Sequence, residues 1–131
     1  PFTGITGDFK NDRDFAYAAD NTANLGIEYS IGGFDWGTLT LRLDWSYQDD
    51  YVPYVNPAQN SVSQIDSYEL LNARLTLSEI PVGEGQTLQF SVWGKNITDE
   101  DYRISTIPFG LWTTSYFGDP RTYGIELTFE F

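Results

Sequence analysis

The side chains with chemistry to offer here are carboxylates, a few cations and many aromatics. Asp and Glu number 19 against seven Lys plus Arg, for a net charge of −12, and aromatics make up 17% of the 131 residues. The sequence holds no His and no Cys. That removes Ser-His-Asp chemistry, His-based zinc sites, thiolate metal sites and disulfides. Paired carboxylates occur at Asp49 with Asp50 and at Asp99 with Glu100 and Asp101. Nothing in their surroundings separates an acid from a base, so no catalytic residue is assigned and an enzyme is not expected. Asp8, Asn11, Asp12 and Asp14 form an oxygen-rich cluster whose spacing fits no EF-hand loop. It reads as a solvated charge run, and neither a metal nor a cofactor is assigned. A nucleic-acid partner is excluded for want of a basic face.

The remaining charges fall into a pattern. Glu28, Arg42, Asp44, Arg74, Lys95 and Glu126 each sit on the polar side of an alternating segment. Five such segments occur. Over 22–31, Ala23, Leu25, Ile27, Tyr29 and Ile31 alternate with polar residues or Gly. Over 38–48, Leu39, Leu41, Leu43, Trp45 and Tyr47 do so. Leu71, Ala73, Leu75 and Leu77 follow within 68–78. Leu88, Phe90 and Val92 follow within 87–95, and Tyr123, Ile125, Leu127, Phe129 and Phe131 within 121–131. A period of two predicts strands with one apolar and one polar face. The expected fold is therefore all-β, an antiparallel meander of about five strands.

Two features suggest that the apolar face meets lipid rather than a protein core. The links 32–37 and 79–86 are short, whereas 49–67 and 96–120 are long. This alternation is that of an outer-membrane barrel, with short periplasmic turns and long extracellular loops. Aromatics such as Trp45, Tyr47, Tyr123, Phe129 and Phe131 lie toward segment ends, and the middles are aliphatic, as in the girdles of a bilayer protein. About ten residues at ~3.4 Å, tilted by ~40°, span about 25 Å, close to the apolar band of such barrels. Residues 1–21 read as the remnant of an extracellular loop and 22–131 as barrel strands. Pro1 is not a natural start, so the chain is expected to be a fragment. The other reading of the same alternation is a soluble β-sandwich that binds carbohydrate.

Residues 93–102, WGKNITDEDY, and 118–131, GDPRTYGIELTFEF, resemble the C-terminal strands of TonB-dependent outer-membrane receptors. Chains of that family typically run a penultimate strand into Asn-Leu-Thr-Asp-x-x-Tyr, then a long loop, Pro-Arg and a last strand ending in Phe. Here Ile97 stands where Leu is usual. The segments NLGIEYSI and LTLRLDWSYQDDY resemble the preceding strands more loosely. The resemblance implies a barrel of roughly 22 strands around a plug domain. It implies import of a scarce nutrient such as a siderophore, metal complex, glycan or cobalamin-like ligand. The implied partners are the remainder of the barrel and its plug, the TonB complex, outer-membrane lipid and the barrel assembly machinery. The last would read Phe129 and Phe131 as a signal, although a Gly usually stands closer to the end than Gly124 does.

On this reading Glu28, Arg42, Asp44, Arg74, Lys95 and Glu126 face the lumen, as wall charges first and a substrate path second. Tyr51, Tyr54, Phe109, Trp112 and Tyr116 are extracellular-loop candidates for ligand stacking, with packing among the loops as the plainer role. Arg121 falls on the outward parity, where it could meet a lipopolysaccharide phosphate. Asn96, Thr98 and Asp99 are expected to fix a turn, and Tyr102 to fold back as an anchor.

Overall fold

The computed structural model describes residues 15–54 and 62–131, so the cluster Asp8, Asn11, Asp12 and Asp14 lies outside the described residues. The described chain is all-β. It forms seven strands: β1 (Thr22–Phe34), β2 (Gly37–Gln48), β3 (Tyr68–Gly83), β4 (Gln86–Lys95), β5 (Arg103–Pro108), β6 (Thr113–Phe117) and β7 (Thr122–Glu130). The main sheet runs β1-β2-β3-β4-β7, antiparallel throughout. The five alternating segments are its five strands, in sequence order apart from the inserted hairpin β5–β6. The sheet is open, with β1 and β7 at its edges. Among the described residues no helix is long and apolar enough to cross a membrane, which says nothing about strands.

The register aligns like with like across the sheet. One apolar row is Tyr29, Leu41, Leu75, Val92 and Ile125. Another is Ile31, Leu39, Leu77, Phe90 and Leu127. A slip of one residue in any pair would swap the faces of that strand, so the alternation holds the register. On the polar face, hydroxyls pair directly: Ser30 Oγ with Thr40 Oγ1 at 2.9 Å, and Thr76 Oγ1 with Ser91 Oγ at 3.0 Å. Among the described residues Ile65 is the one buried hydrophobic side chain. Among the described residues no second layer covers the apolar face, and Ile125, Leu127 and Tyr123 remain 76%, 67% and 67% exposed.

Two expectations about boundaries are corrected. The links 32–37 and 79–86 are mostly strand, and the turns shrink to Asp35-Trp36 and Glu84-Gly85. The strands continue because irregularities absorb the misfit. β1 shifts register between Ile31 and Phe34, where Gly33 adopts φ 89°. β3 shifts between Leu77 and Ile80, where Glu79 adopts φ 57°. Pro81, which lacks an amide donor, lies in this irregular stretch, as a proline within a sheet must. Gly37, at φ 127°, starts β2 where any Cβ would run into the Ser78 carbonyl. The second correction concerns 96–120, read as loop. It holds the hairpin β5–β6, a separate two-stranded sheet.

The step from β4 into that hairpin is organised by Asn96, which is 4% exposed and adopts φ 48°. Asn is among the few residues that tolerate this left-handed region. Its backbone N–H donates to Asn72 Oδ1 at 3.0 Å. Its side-chain amide donates to the carbonyls of Glu100 at 2.8 Å and Asp119 at 3.2 Å, and its Oδ1 accepts from the Glu100 amide at 2.8 Å. One side chain thus ties together the start and the end of the insertion. Tyr102 does fold back: its ring lies 4.5 Å from that of Tyr68, and it packs against Gly118, where a Cβ would have no room. Leaving a buried polar group without its partner costs about 1–3 kcal/mol. Asn96→Ala is therefore expected to lower the unfolding free energy of the full-length protein by at least about that amount in a denaturant titration. Asn96→Asp, which keeps the acceptor and the backbone tolerance, should lose less.

Candidate functional site

All six charged candidates lie on the polar face of the main sheet. Glu28, Arg42 and Arg74 occupy one row across β1, β2 and β3, and that row continues through Trp93 to Gly124. Asp44 sits in the next row with Gly26 and Asn72. Glu126 is opposite Ser91, and Lys95 opposite Thr122. The register places Arg42 directly against Arg74, an unfavourable pairing of like charges. Carboxylates on both sides relieve it. Asp44 takes Arg42 in a two-pronged contact at 2.8 and 3.0 Å, with Glu28 at 3.8 Å behind. Glu126 takes Arg74 at 3.2 Å from β7, although the two residues are far apart in sequence. These side chains are about half exposed, so solvent screening leaves each pair a small contribution.

Lys95 stands apart. Among the described residues Arg42, Arg74, Arg103 and Arg121 all have carboxylate partners, and Lys95 has none. Its ammonium lies 5.8 Å from the centroid of the Trp93 ring. Trp93 breaks the rule that aromatics take the apolar face. It fits because Gly124 opposite has no side chain: the indole lies on the Gly124 backbone, where a Cβ would collide with it. Sequence reasoning placed Trp93 on the polar parity and did not mark it as a site residue. The signal was the pairing of a Trp out of pattern with a Gly in the last strand.

The sheet carries two shallow depressions near this point, one on each side. A polar one of about 410 Å³ is lined by Arg42, Asp44, Arg74, Trp93, Lys95 and Glu126, among others. On the apolar side a wider one of about 610 Å³ lies among Leu41, Ala73, Val92, Gly94, Tyr123 and Ile125. Five of the six charged candidates, Arg42, Asp44, Arg74, Lys95 and Glu126, line the first, so the polar depression is the candidate for chemistry. Among the described residues no group of His, Cys, Asp and Glu is placed to hold a metal ion.

The loop candidates divide into two sets. Tyr51 and Tyr54 bind backbone. Their hydroxyls donate to the carbonyls of Ile104 at 3.0 Å and Thr106 at 2.8 Å. With Thr106 Oγ1 donating to the Ser63 carbonyl at 2.7 Å, and Arg103 paired with Asp66 at 2.7 Å, they dock the β2–β3 loop on the hairpin. Partial burial pushes the Tyr51 hydroxyl pKa up. Where the loop leaves β2, the amide of Asn21 holds the Asp49 carboxyl below its ordinary range. Phe109, Trp112 and Tyr116 are the second set. Phe109 and Trp112 stack edge to face at 6.1 Å near the hairpin tip and stay exposed, as does Tyr116. Phe129 and Phe131 lie 6.1 Å apart on the exposed apolar side. Arg121, considered above for a lipid phosphate, instead pairs with Asp99 at 3.0 Å.

No family model matches this chain, and no solved structure matches it.

Replacing Tyr51 and Tyr54 together by Phe removes two hydrogen bonds, each contributing about 0.5–1.5 kcal/mol. Amide exchange over 103–117 is expected to speed up, while exchange over 87–95 stays at the parent rate. Trp112→Ala, which breaks no such tie, is expected to change stability by no more than about 0.5 kcal/mol.

Proposed function

We propose that this chain forms wall strands of an outer-membrane β-barrel, specifically a TonB-dependent transporter importing a scarce nutrient. The observation that carries the reading is the bare sheet. Five paired strands present rows of Leu, Ile, Val and aromatic side chains on one face, and nothing in the described chain covers them. A soluble protein rarely leaves so large a contiguous apolar surface in water. A bilayer removes the cost, and it requires such a face on every strand. The sandwich alternative needs a second layer over the same leucines, and the described residues supply none.

Further support comes from chain layout. The two hairpin turns are two residues each and share one end of the sheet, and the elaborated connections share the other. The open edges of β1 and β7 fit a sheet continued by other strands, since lipid offers no water to satisfy unpaired amides. In the proposal the polar face lines the lumen that also holds the plug domain, and the ion pairs of Arg42 and Arg74 are wall charges. The docked loop and hairpin then form part of the extracellular rim. Phe129 and Phe131 serve the barrel assembly machinery, and energy comes from TonB through a segment outside this chain. The motifs around 93–102 and 118–131 supply the family within the barrel class.

Leu41 and Thr40 are neighbours on opposite faces, which makes them a test. An Arg facing mid-bilayer lipid costs roughly 2–4 kcal/mol, whereas lumen substitutions mainly tune selectivity. Leu41→Arg is expected to reduce folded, membrane-inserted protein strongly, and Thr40→Arg to leave it near the parent level. Equal losses, or the reverse order, would count against the assigned faces, and a full-length protein soluble without detergent would defeat the barrel.

A further inference from the structure

We propose that the depression around Trp93 and Lys95 is a subsite for a small ring compound bearing one anionic group, of the uronic-acid kind. The proposal rests on the transporter reading and supplies its substrate class. Its volume of about 410 Å³ is within the range of small-molecule sites. The one unpaired cation of the described residues sets the sign of the ligand. In a chain of net charge −12, this spot brings three cations, Arg42, Arg74 and Lys95, against two carboxylates, Asp44 and Glu126. Arg42 is consumed by the two-pronged contact with Asp44. Arg74 gives one contact to Glu126 and keeps further N–H donors. Lys95 has no ion pair among the described residues. With Glu28 3.8 Å from Arg42 the cluster as a whole is balanced, and the one described cation without a carboxylate partner is Lys95, with the spare guanidinium donors of Arg74 beside it.

Trp93 sets the shape. Its indole rests on the Gly124 backbone, which fixes the ring and leaves a flat apolar surface among polar neighbours. The Lys95 ammonium is 5.8 Å from the ring centroid. An anion held by Lys95 therefore brings the ring that carries it onto the indole. A lone carboxylate side chain from elsewhere in the protein would neutralise Lys95 but leave Trp93 without a contact and most of the volume unfilled. A neutral sugar would use Trp93 and ignore the charge.

The test uses the full-length protein in detergent, titrated calorimetrically with galacturonic acid and with galactose as the neutral counterpart. Galacturonic acid is expected to bind about tenfold more tightly or better, the effect of one charge-assisted hydrogen bond. Lys95→Gln should abolish that preference, Lys95→Arg should keep it, and Trp93→Ala should weaken both sugars. Recovery of each variant from the membrane fraction serves as the folding control. Equal binding of the two sugars overturns the proposal, as does a normally inserted protein that binds neither. A Lys95→Gln variant with a lowered melting temperature, in a protein whose parent ignores galacturonic acid, assigns Lys95 to a structural carboxylate and also overturns it. The parent reading is judged separately by insertion. A protein that inserts but ignores galacturonic acid loses only the subsite, whereas one that binds it without ever entering a membrane keeps the subsite and loses the transporter.

Discussion

The ladder of backbone hydrogen bonds from β1 to β7 carries this structure, because among the described residues no core does. With Ile65 as the one buried hydrophobic among the described residues, side-chain burial cannot hold the strands together. Each strand is fixed by the amides and carbonyls of its neighbour, and the side chains on the two faces choose the register. The hydroxyl pairs Ser30–Thr40 and Thr76–Ser91, and the matched rows of Leu, act as this selection. The arrangement is stable only if both faces and both edges find suitable surroundings.

The same constraint explains what could be read from the sequence. Alternation is a local signal, and a sheet with two distinct surroundings must display it along each strand. That is why the five main strands, their order and the common face of Glu28, Arg42, Asp44, Arg74, Lys95 and Glu126 were legible. Ends were not. Gly33 and Glu79 let β1 and β3 bend through their irregular stretches and continue, and a bulge breaks the very period that marks a strand. The hairpin β5–β6 was also illegible, because it does not lie in the main sheet. Its residues answer to Tyr51, Tyr54 and Asp66 from another loop, so no facing rule governs them.

Within the candidate site the residues were legible and the partners were not. Parity assigned each charge to a face, but pairing depends on register between distant segments. Arg74 with Glu126 links β3 to β7 across the intervening β4. The opposition of Arg42 and Arg74 is a product of register alone. Trp93 and Gly124 illustrate the point, since each looks like an irregularity until they are seen opposite one another.

Asn96 has a consequence for how the protein can be made. With Ile97 and Thr98 it spells an acceptor sequence for N-linked glycans. In the folded chain its amide nitrogen already serves the carbonyls of Glu100 and Asp119 inside a nearly closed site. A eukaryotic secretory host attaches glycans before folding is finished, and a sugar there would take the nitrogen that closes the insertion. Such a host would make the chain and, in the same step, disable the joint on which its largest loop turns. Production in a cell without that machinery leaves the joint intact.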